Sequence, residues 1–157
     1  MNNKVFRIFK IGIITTLIMT LVMFASAQCA GNKNSDTDTS EIQFYSGSWN
    51  EALALAKQEN KPVFLDISAS WCGYCKKMKA NVFVDPEIAK FYDLTFINIA
   101  VDGEKGEGIE LAKKYGVRGY PTFVFLNPDG SLSNQTSGYH NPKQFLELGK
   151  KVIANKL

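Results

Sequence analysis

The chain has 157 residues, 45% of them hydrophobic and 21% charged, which suits one packed domain and excludes a disordered or low-complexity protein. Its formal net charge of +3 is the excess carried by Lys4, Arg7 and Lys10: residues 1–27 hold no acid, and without them fifteen basic residues face fifteen acidic ones. A neutral folded part has no electrostatic footprint for nucleic acid, so that class of function is set aside.

The first 27 residues read as a secretory signal peptide: a basic start, an apolar run over Ile11–Phe24, then the small residues Ala25-Ser26-Ala27. The alternative is an uncleaved anchor, but the run is about 14 residues where a spanning helix needs roughly 20. Cys29 opens a further alternative. A lipoprotein signal ends in small residues directly before a cysteine that becomes lipidated, although Gln28 fits that position poorly. The expectation is therefore an exported, periplasmic protein, bound to a membrane only if Cys29 is lipidated. Residues 28–40 are read as a flexible linker, with Asn32–Ser40 wholly polar, and residues 41–157 as the folded domain.

Within the domain, Glu41–Ser46 offers Ile42, Phe44 and Tyr45 as a short first strand. Ser48 and Glu51 form a capping box, followed by apolar residues at helical spacing to about Glu59. Pro62–Ile67 is an apolar run broken only by Asp66 and predicts a buried central strand. Cys72–Lys79 predicts a helix, and Asp85-Pro86-Glu87 a second helix start with proline at the first helical position. Leu94–Val101 predicts a strand. A Gly-rich loop over Gly103–Gly108 then leads to a helix at Ile109–Tyr115, closed by Gly116. Thr122–Leu126 predicts the next strand, and the turn at Asn127–Gly130 returns the chain as an antiparallel edge strand over Ser131–Thr136. Pro142–Ala154 predicts an amphipathic helix that turns Phe145, Leu146, Leu148 and Val152 to the sheet. The alternation of strands and helices gives an α/β class with a central mixed sheet flanked by helices.

The chemistry concentrates in Cys72-Gly73-Tyr74-Cys75. A cysteine at a helix N-terminus faces free amides and the positive end of the helix dipole, and both favour the thiolate. Lys76 and Lys77 add positive charge nearby, screened by solvent. Cys72 is the expected exposed nucleophile and Cys75, one turn deeper, the resolving thiol. A CxxC pair alone also permits an inert structural disulfide or half of a zinc site. A structural zinc needs about four ligands, and only Cys29 and His140 remain to supply them, so no metal is expected. An inert bridge closing so short a loop would stabilise almost nothing.

Three segments in order make the pattern specific: Asp66 six residues before Cys72, Trp71-Cys72-Gly73-Tyr74-Cys75-Lys76, and Gly116-Val117-Arg118-Gly119-Tyr120-Pro121-Thr122. Together they resemble the thioredoxin superfamily over about Ile42–Ile153. Lys61–Asp66, Ala69–Cys72 and Phe83–Pro86 look like the periplasmic C-terminal domain of the transmembrane thiol:disulfide interchange reductase. Here that domain stands behind a leader without the transmembrane section. It would therefore need a membrane electron donor.

The resemblance implies a thioredoxin-like fold with the Cys72–Cys75 disulfide as its redox centre and no other cofactor. It implies a cis Pro121 beside the cysteines, the alternative being an ordinary strand-edge proline. The Tyr120 backbone would pair with a substrate strand. Trp71 would shield the disulfide and shape the docking surface, and Gly73 and Tyr74 would meet substrate. Buried Asp66 would have a raised pKa and take the proton from Cys75; the alternative is a core acid paired to a backbone donor. Many thioredoxins place a lysine near this acid, and Asn98 stands at the matching position, so Asp66 is expected to lack a charged partner.

The leading expectation is a monomeric reductase of disulfide-containing exported proteins. A disulfide isomerase or oxidase is the alternative within the class, and a non-catalytic thioredoxin-fold binding module the alternative outside it.

Overall fold

The computed structural model describes residues 40–154; the leader, Cys29 and most of the linker lie outside the described residues. The elements in chain order are α1 (Trp49–Glu59), β1 (Val63–Ser68), α2 (Gly73–Asn81), α3 (Pro86–Thr95), β2 (Ile97–Asp102), α4 (Glu107–Lys114), β3 (Thr122–Leu126), β4 (Leu132–Ser137) and α5 (Pro142–Ala154). The strands form one mixed sheet of order β2-β1-β3-β4. β1 runs parallel to β2 and antiparallel to β3, and β3 pairs antiparallel with β4.

β1 is buried at every position, which explains its unbroken apolar sequence. Alternate residues serve the two faces of the sheet. Val63, Leu65 and Ile67 join Ile99, Val124 and Leu126 on the face covered by α1 and α4. Phe64 joins Phe123 and Phe125 on the other, where α2, α3 and α5 supply Met78, Ile88, Tyr92, Phe145 and Val152, with Val82 just past the end of α2. By the same alternation Asp66 shares the Phe64 face and lies on the α2 side. Phe64 centres that core: its ring lies 5.0 Å from Tyr92, 5.3 Å from Phe125 and 5.6 Å from Phe145. Tyr92 stacks on Phe145 at 4.6 Å, and its hydroxyl donates to the Phe145 carbonyl at 2.9 Å.

Local chemistry sets the element boundaries. Ser48 and Glu51 complete the capping box of α1, and Asn60 ends that helix at φ 53°. Asp85 caps α3 by accepting the amides of Glu87 and Ile88, with Pro86 opening the helix. Three expectations need correction. Glu41–Ser46 forms no strand: Ile42 N–H bonds the Phe83 carbonyl and Tyr45 N–H bonds the Asn98 carbonyl, but Gln43 N–H goes to the Asp93 side chain. The donors are thus divided among three partners, and no ladder forms. Leu94 belongs to α3, where its side chain is exposed, and the strand starts only at Ile97. Finally, α2 begins at Gly73 and leaves Cys72 as its N-cap.

Phe64→Ala removes the ring at the centre of this core. It should lower unfolding stability by about 3–5 kcal/mol, read as a shift in the urea midpoint with an unchanged m value.

Candidate functional site

The site forms where β1 ends and α2 begins. Cys72 has extended backbone angles (φ −69°, ψ 111°), and its sulfur accepts the Cys75 amide at 3.0 Å. A cysteine thus takes the place that serine or aspartate usually fills at a helix start. Cys72 and Cys75 are joined in a disulfide across the first turn of α2. A thiolate at Cys72 would meet the same amide and the helix dipole, the two effects that lower a thiol pKa.

The expectation of an exposed Cys72 over a deeper Cys75 needs correction, since the two residues are 3% and 4% exposed in the bonded form. Both pack into a small cluster with Ala69, flanked by Tyr120. The neighbouring side chains point outward instead: Trp71 is 67% and Tyr74 61% exposed. Gly73 lies between them, and a Cβ there would meet no group from elsewhere in the fold.

Asp66 is 2% exposed, and its Oδ1 has no hydrogen-bond partner among the described residues. Burial pushes its carboxyl up to about 7 against an opposing pull from Lys79. Lys79 on α2 acts on the carboxylate through its charge, but no ion pair joins the two, as the sequence leads one to expect. Asn98 pairs in register with Phe64, whereas Asp66 pairs with Ala100, and the Asn98 amide is turned to Asp93 at 2.9 Å. The lysine was not legible because it lies in the helix after the cysteines, seven positions beyond Cys72, while the acid precedes them.

Tyr120 and Pro121 lie immediately before β3, and the peptide bond between them is cis. Pro121 is buried, and its carbonyl accepts the Gly138 amide at 2.8 Å. The Tyr120 ring meets Trp71 edge-on at 5.9 Å. Partial desolvation raises the Tyr120 phenol pKa, reinforced by the charges of Glu104 and Asp102. The structure thus brings together Trp71, Cys72, Cys75 and Tyr120, with Asp66 on the same side of the sheet as α2.

Three neighbours escaped the sequence reading. Glu104 accepts the Trp71 indole N–H at 2.9 Å. Gly103 gives the Tyr120 ring its room, because a Cβ there would lie 2.8 Å from that ring. Tyr139 lies 6.3 Å from Tyr74 and beneath the Lys77 ammonium, which is 4.5 Å from its ring centre. In the sequence Glu104 and Gly103 are only part of a Gly-rich connection, and Tyr139 carries no signal of a role. Trp49 and Met78 are buried packing residues, and His140 meets the Gly138 carbonyl through Nδ1. Among the described residues no group of three or more His, Cys, Asp or Glu could hold a metal ion.

A buried CxxC pair at a helix start on a mixed sheet, packed against Tyr120, fits a thioredoxin-like site. The chain belongs to the thioredoxin-like domain family, whose model matches residues 49–153. The domain carries the CxxC pair of a thiol-disulfide oxidoreductase family. More particularly, it is homologous to the C-terminal domain of the thiol:disulfide interchange protein DsbD. It is 35% identical over 148 residues to DsbD of Vibrio vulnificus, a match that covers 87% of this chain and 25% of that protein. The chain thus spans a quarter of that relative's length. Two solved structures agree with the fold. The C-terminal domain of Neisseria meningitidis DsbD, in its oxidised form, has a TM-score of 0.57 at 31% identity, covering 70% of this chain and 97% of that one. A putative disulphide-isomerase from Bacteroides thetaiotaomicron has a TM-score of 0.66 at 38% identity, covering 73% and 95%.

The raised pKa of Asp66 makes stability depend on pH with a fixed sign. Below about 3.8 the carboxyl is protonated folded or unfolded and has no effect. Between 3.8 and about 7 only the folded state keeps the proton, so the folded state is favoured less as pH rises, and above 7 the full burial cost applies. Asp66→Asn should therefore stabilise the domain at pH 8 by on the order of 4 kcal/mol and much less at pH 4, checked by urea denaturation at both values.

Proposed function

We propose that the protein is an exported thiol-disulfide oxidoreductase that reduces disulfides of exported proteins and is itself reduced by a membrane-bound dithiol donor. The observation that carries this reading is the Cys72 sulfur held against a free amide at the start of α2, bonded to Cys75 one turn on. Homology to a domain of DsbD supports export, the reducing direction and a membrane donor.

In the reduced form the Cys72 thiolate attacks one sulfur of a substrate disulfide. The S–S bond breaks, a mixed disulfide forms, and the leaving thiolate takes a proton. Asp66 in its carboxylate form accepts the Cys75 proton, directly or through water. The resulting Cys75 thiolate attacks Cys72 Sγ, the Cys72–Cys75 disulfide closes, and the second substrate thiol departs. Two electrons pass from the protein to the substrate, and the donor dithiol restores them. A proton acceptor with a pKa near 7 is matched to that work at neutral pH. The ladder between β1 and β3 ends at the Ile67–Thr122 pair. The Tyr120 backbone beyond it can pair with an extended substrate segment, with Trp71, Gly73 and Tyr74 alongside. The exchange needs no cofactor other than the cysteine pair and no metal, and a single copy of the chain supplies every group in it.

One observation favours a second reading, disulfide isomerisation: the likeness to the structure titled a putative disulphide-isomerase. The reduction potential of the cysteine pair separates the two directions. Equilibration with dithiothreitol or glutathione should give roughly −270 to −230 mV for a reductase, whereas about −180 mV would favour the isomerase and about −120 mV would mark an oxidant.

Cys72→Ser should abolish insulin-disulfide reduction, and Cys75→Ser should accumulate mixed disulfides through Cys72 in thiol-trapping gels. A pure binding module would trap none. Asp66→Asn should slow resolution of the mixed disulfide by about a hundredfold at pH 7, followed by stopped-flow, with the attack step little changed.

A further inference from the structure

Trp71 stands 67% exposed at the lip of the site, yet it is not a free rotor. Its indole N–H donates to Glu104 Oε2 at 2.9 Å, and its ring meets the Tyr120 ring edge-on at 5.9 Å. The acceptor is itself anchored. The Glu104 amide donates to Asp102 Oδ1 at 3.0 Å, in a local turn of the kind aspartate favours. Gly103 N–H bonds the Ser68 carbonyl at 2.8 Å, and Lys105 pairs with Asp102 at 3.3 Å. At the far end of the segment Glu107 accepts the Trp49 amide at the start of α1, and a Cβ on Gly108 would run into the Asp102 carbonyl. The carboxylate that holds Trp71 is thus fixed to the ends of β1 and β2.

An exposed indole without such a tie would lose rotamer freedom whenever a partner docked on it, and that loss weakens binding. We propose that Glu104 is a positioning residue: it holds the Trp71 ring against Tyr120 as a preformed wall for the protein segment that docks beside Cys72. This deepens the exchange reaction proposed above and rests on it. Glu104 touches no reacting atom. Its effect falls on the affinity for a protein substrate that uses the wall, and spares a small disulfide that does not.

The test compares Glu104→Ala, Glu104→Gln, Trp71→Phe and the Glu104→Ala/Trp71→Phe pair in the reduced protein, with insulin and glutathione disulfide as substrates. The Trp71 indole proton is followed by NMR and assigned by its loss in Trp71→Phe. In Glu104→Ala that proton should move upfield and exchange faster with solvent. KM for insulin should rise about three- to tenfold with kcat unchanged, and the rate with glutathione disulfide should stay as in the parent. Gln keeps an acceptor oxygen and should restore both the indole signal and KM. On Trp71→Phe the alanine change should add nothing. An indole proton unmoved by Glu104→Ala would overturn the proposal. So would a glutamine variant that behaves as alanine, since charge and not the bond would then matter, or an undiminished alanine effect on Trp71→Phe. A parent protein that exchanges with neither substrate would sink the reaction and this use of the bond together, while the indole signal would still report whether the bond exists.

Discussion

A helix that starts on a cysteine is the constraint around which the site is built. The first amides of a helix have no partner within it, and an N-cap side chain satisfies one of them. Here the Cys72 sulfur does so, which requires Cys72 to keep extended backbone angles and Gly73 to be the first helical residue. Cys75 then falls on the same turn, where it is bonded to Cys72. The interaction that shapes the local backbone is also the one that favours a thiolate. Any residue that capped better but lacked sulfur would keep the helix and lose the chemistry.

The position of that helix depends on β1. A strand buried on both faces has no freedom to slide, because a one-residue slip would exchange its two faces. Its register therefore fixes Asp66 on the Phe64 side, where α2 packs. An acid in this position opposes folding at neutral pH, and nothing in the packing requires it. A well-packed core usually excludes an unpartnered carboxyl oxygen, and where one persists a functional constraint is the usual reason. Lys79 moderates the burial effect without cancelling it, which leaves the carboxyl near neutrality in its titration. A full ion pair would have held it ionised throughout the neutral range and removed its capacity to pick up a proton there.

The sequence was most legible where a physical rule acts over a few residues. The capping box at Ser48 and Glu51, the proline start at Pro86 and the apolar run of β1 are all local, and the structure has each element where those signals lie. CxxC with Asp66 upstream and the Tyr120-Pro121 segment downstream identified the family by their order alone. What escaped depends on contacts between distant segments. Ile42 is buried as a strand residue would be, yet its backbone partner is Phe83 in the loop between α2 and α3, and no alternation reveals that. Leu94 is apolar and stands next to a strand, but the last turn of α3 holds it out in solvent. Glu104, thirty-three residues from Trp71, carries no local mark that it meets an indole. The degree of cysteine burial was equally hidden, because it depends on how Ala69 and Tyr120 close over the sulfurs.

Those distant contacts give the site two unlike walls. On one side the edge of an aromatic ring, where the indole N–H carries positive charge, meets the Glu104 carboxylate. On the other a ring face, which is negative, receives the Lys77 ammonium over Tyr139, with Tyr74 beside it. Each charge suits the part of the ring it touches, as the aromatic quadrupole requires. Trp71 and Tyr74 remain largely exposed while their neighbours are held by these contacts. Exposed aromatic surface of this kind beside a cysteine pair is what the proposed exchange with a protein substrate would use. The cysteines and the buried acid follow from the local rules of strand and helix. The walls follow from loops the sheet brings together.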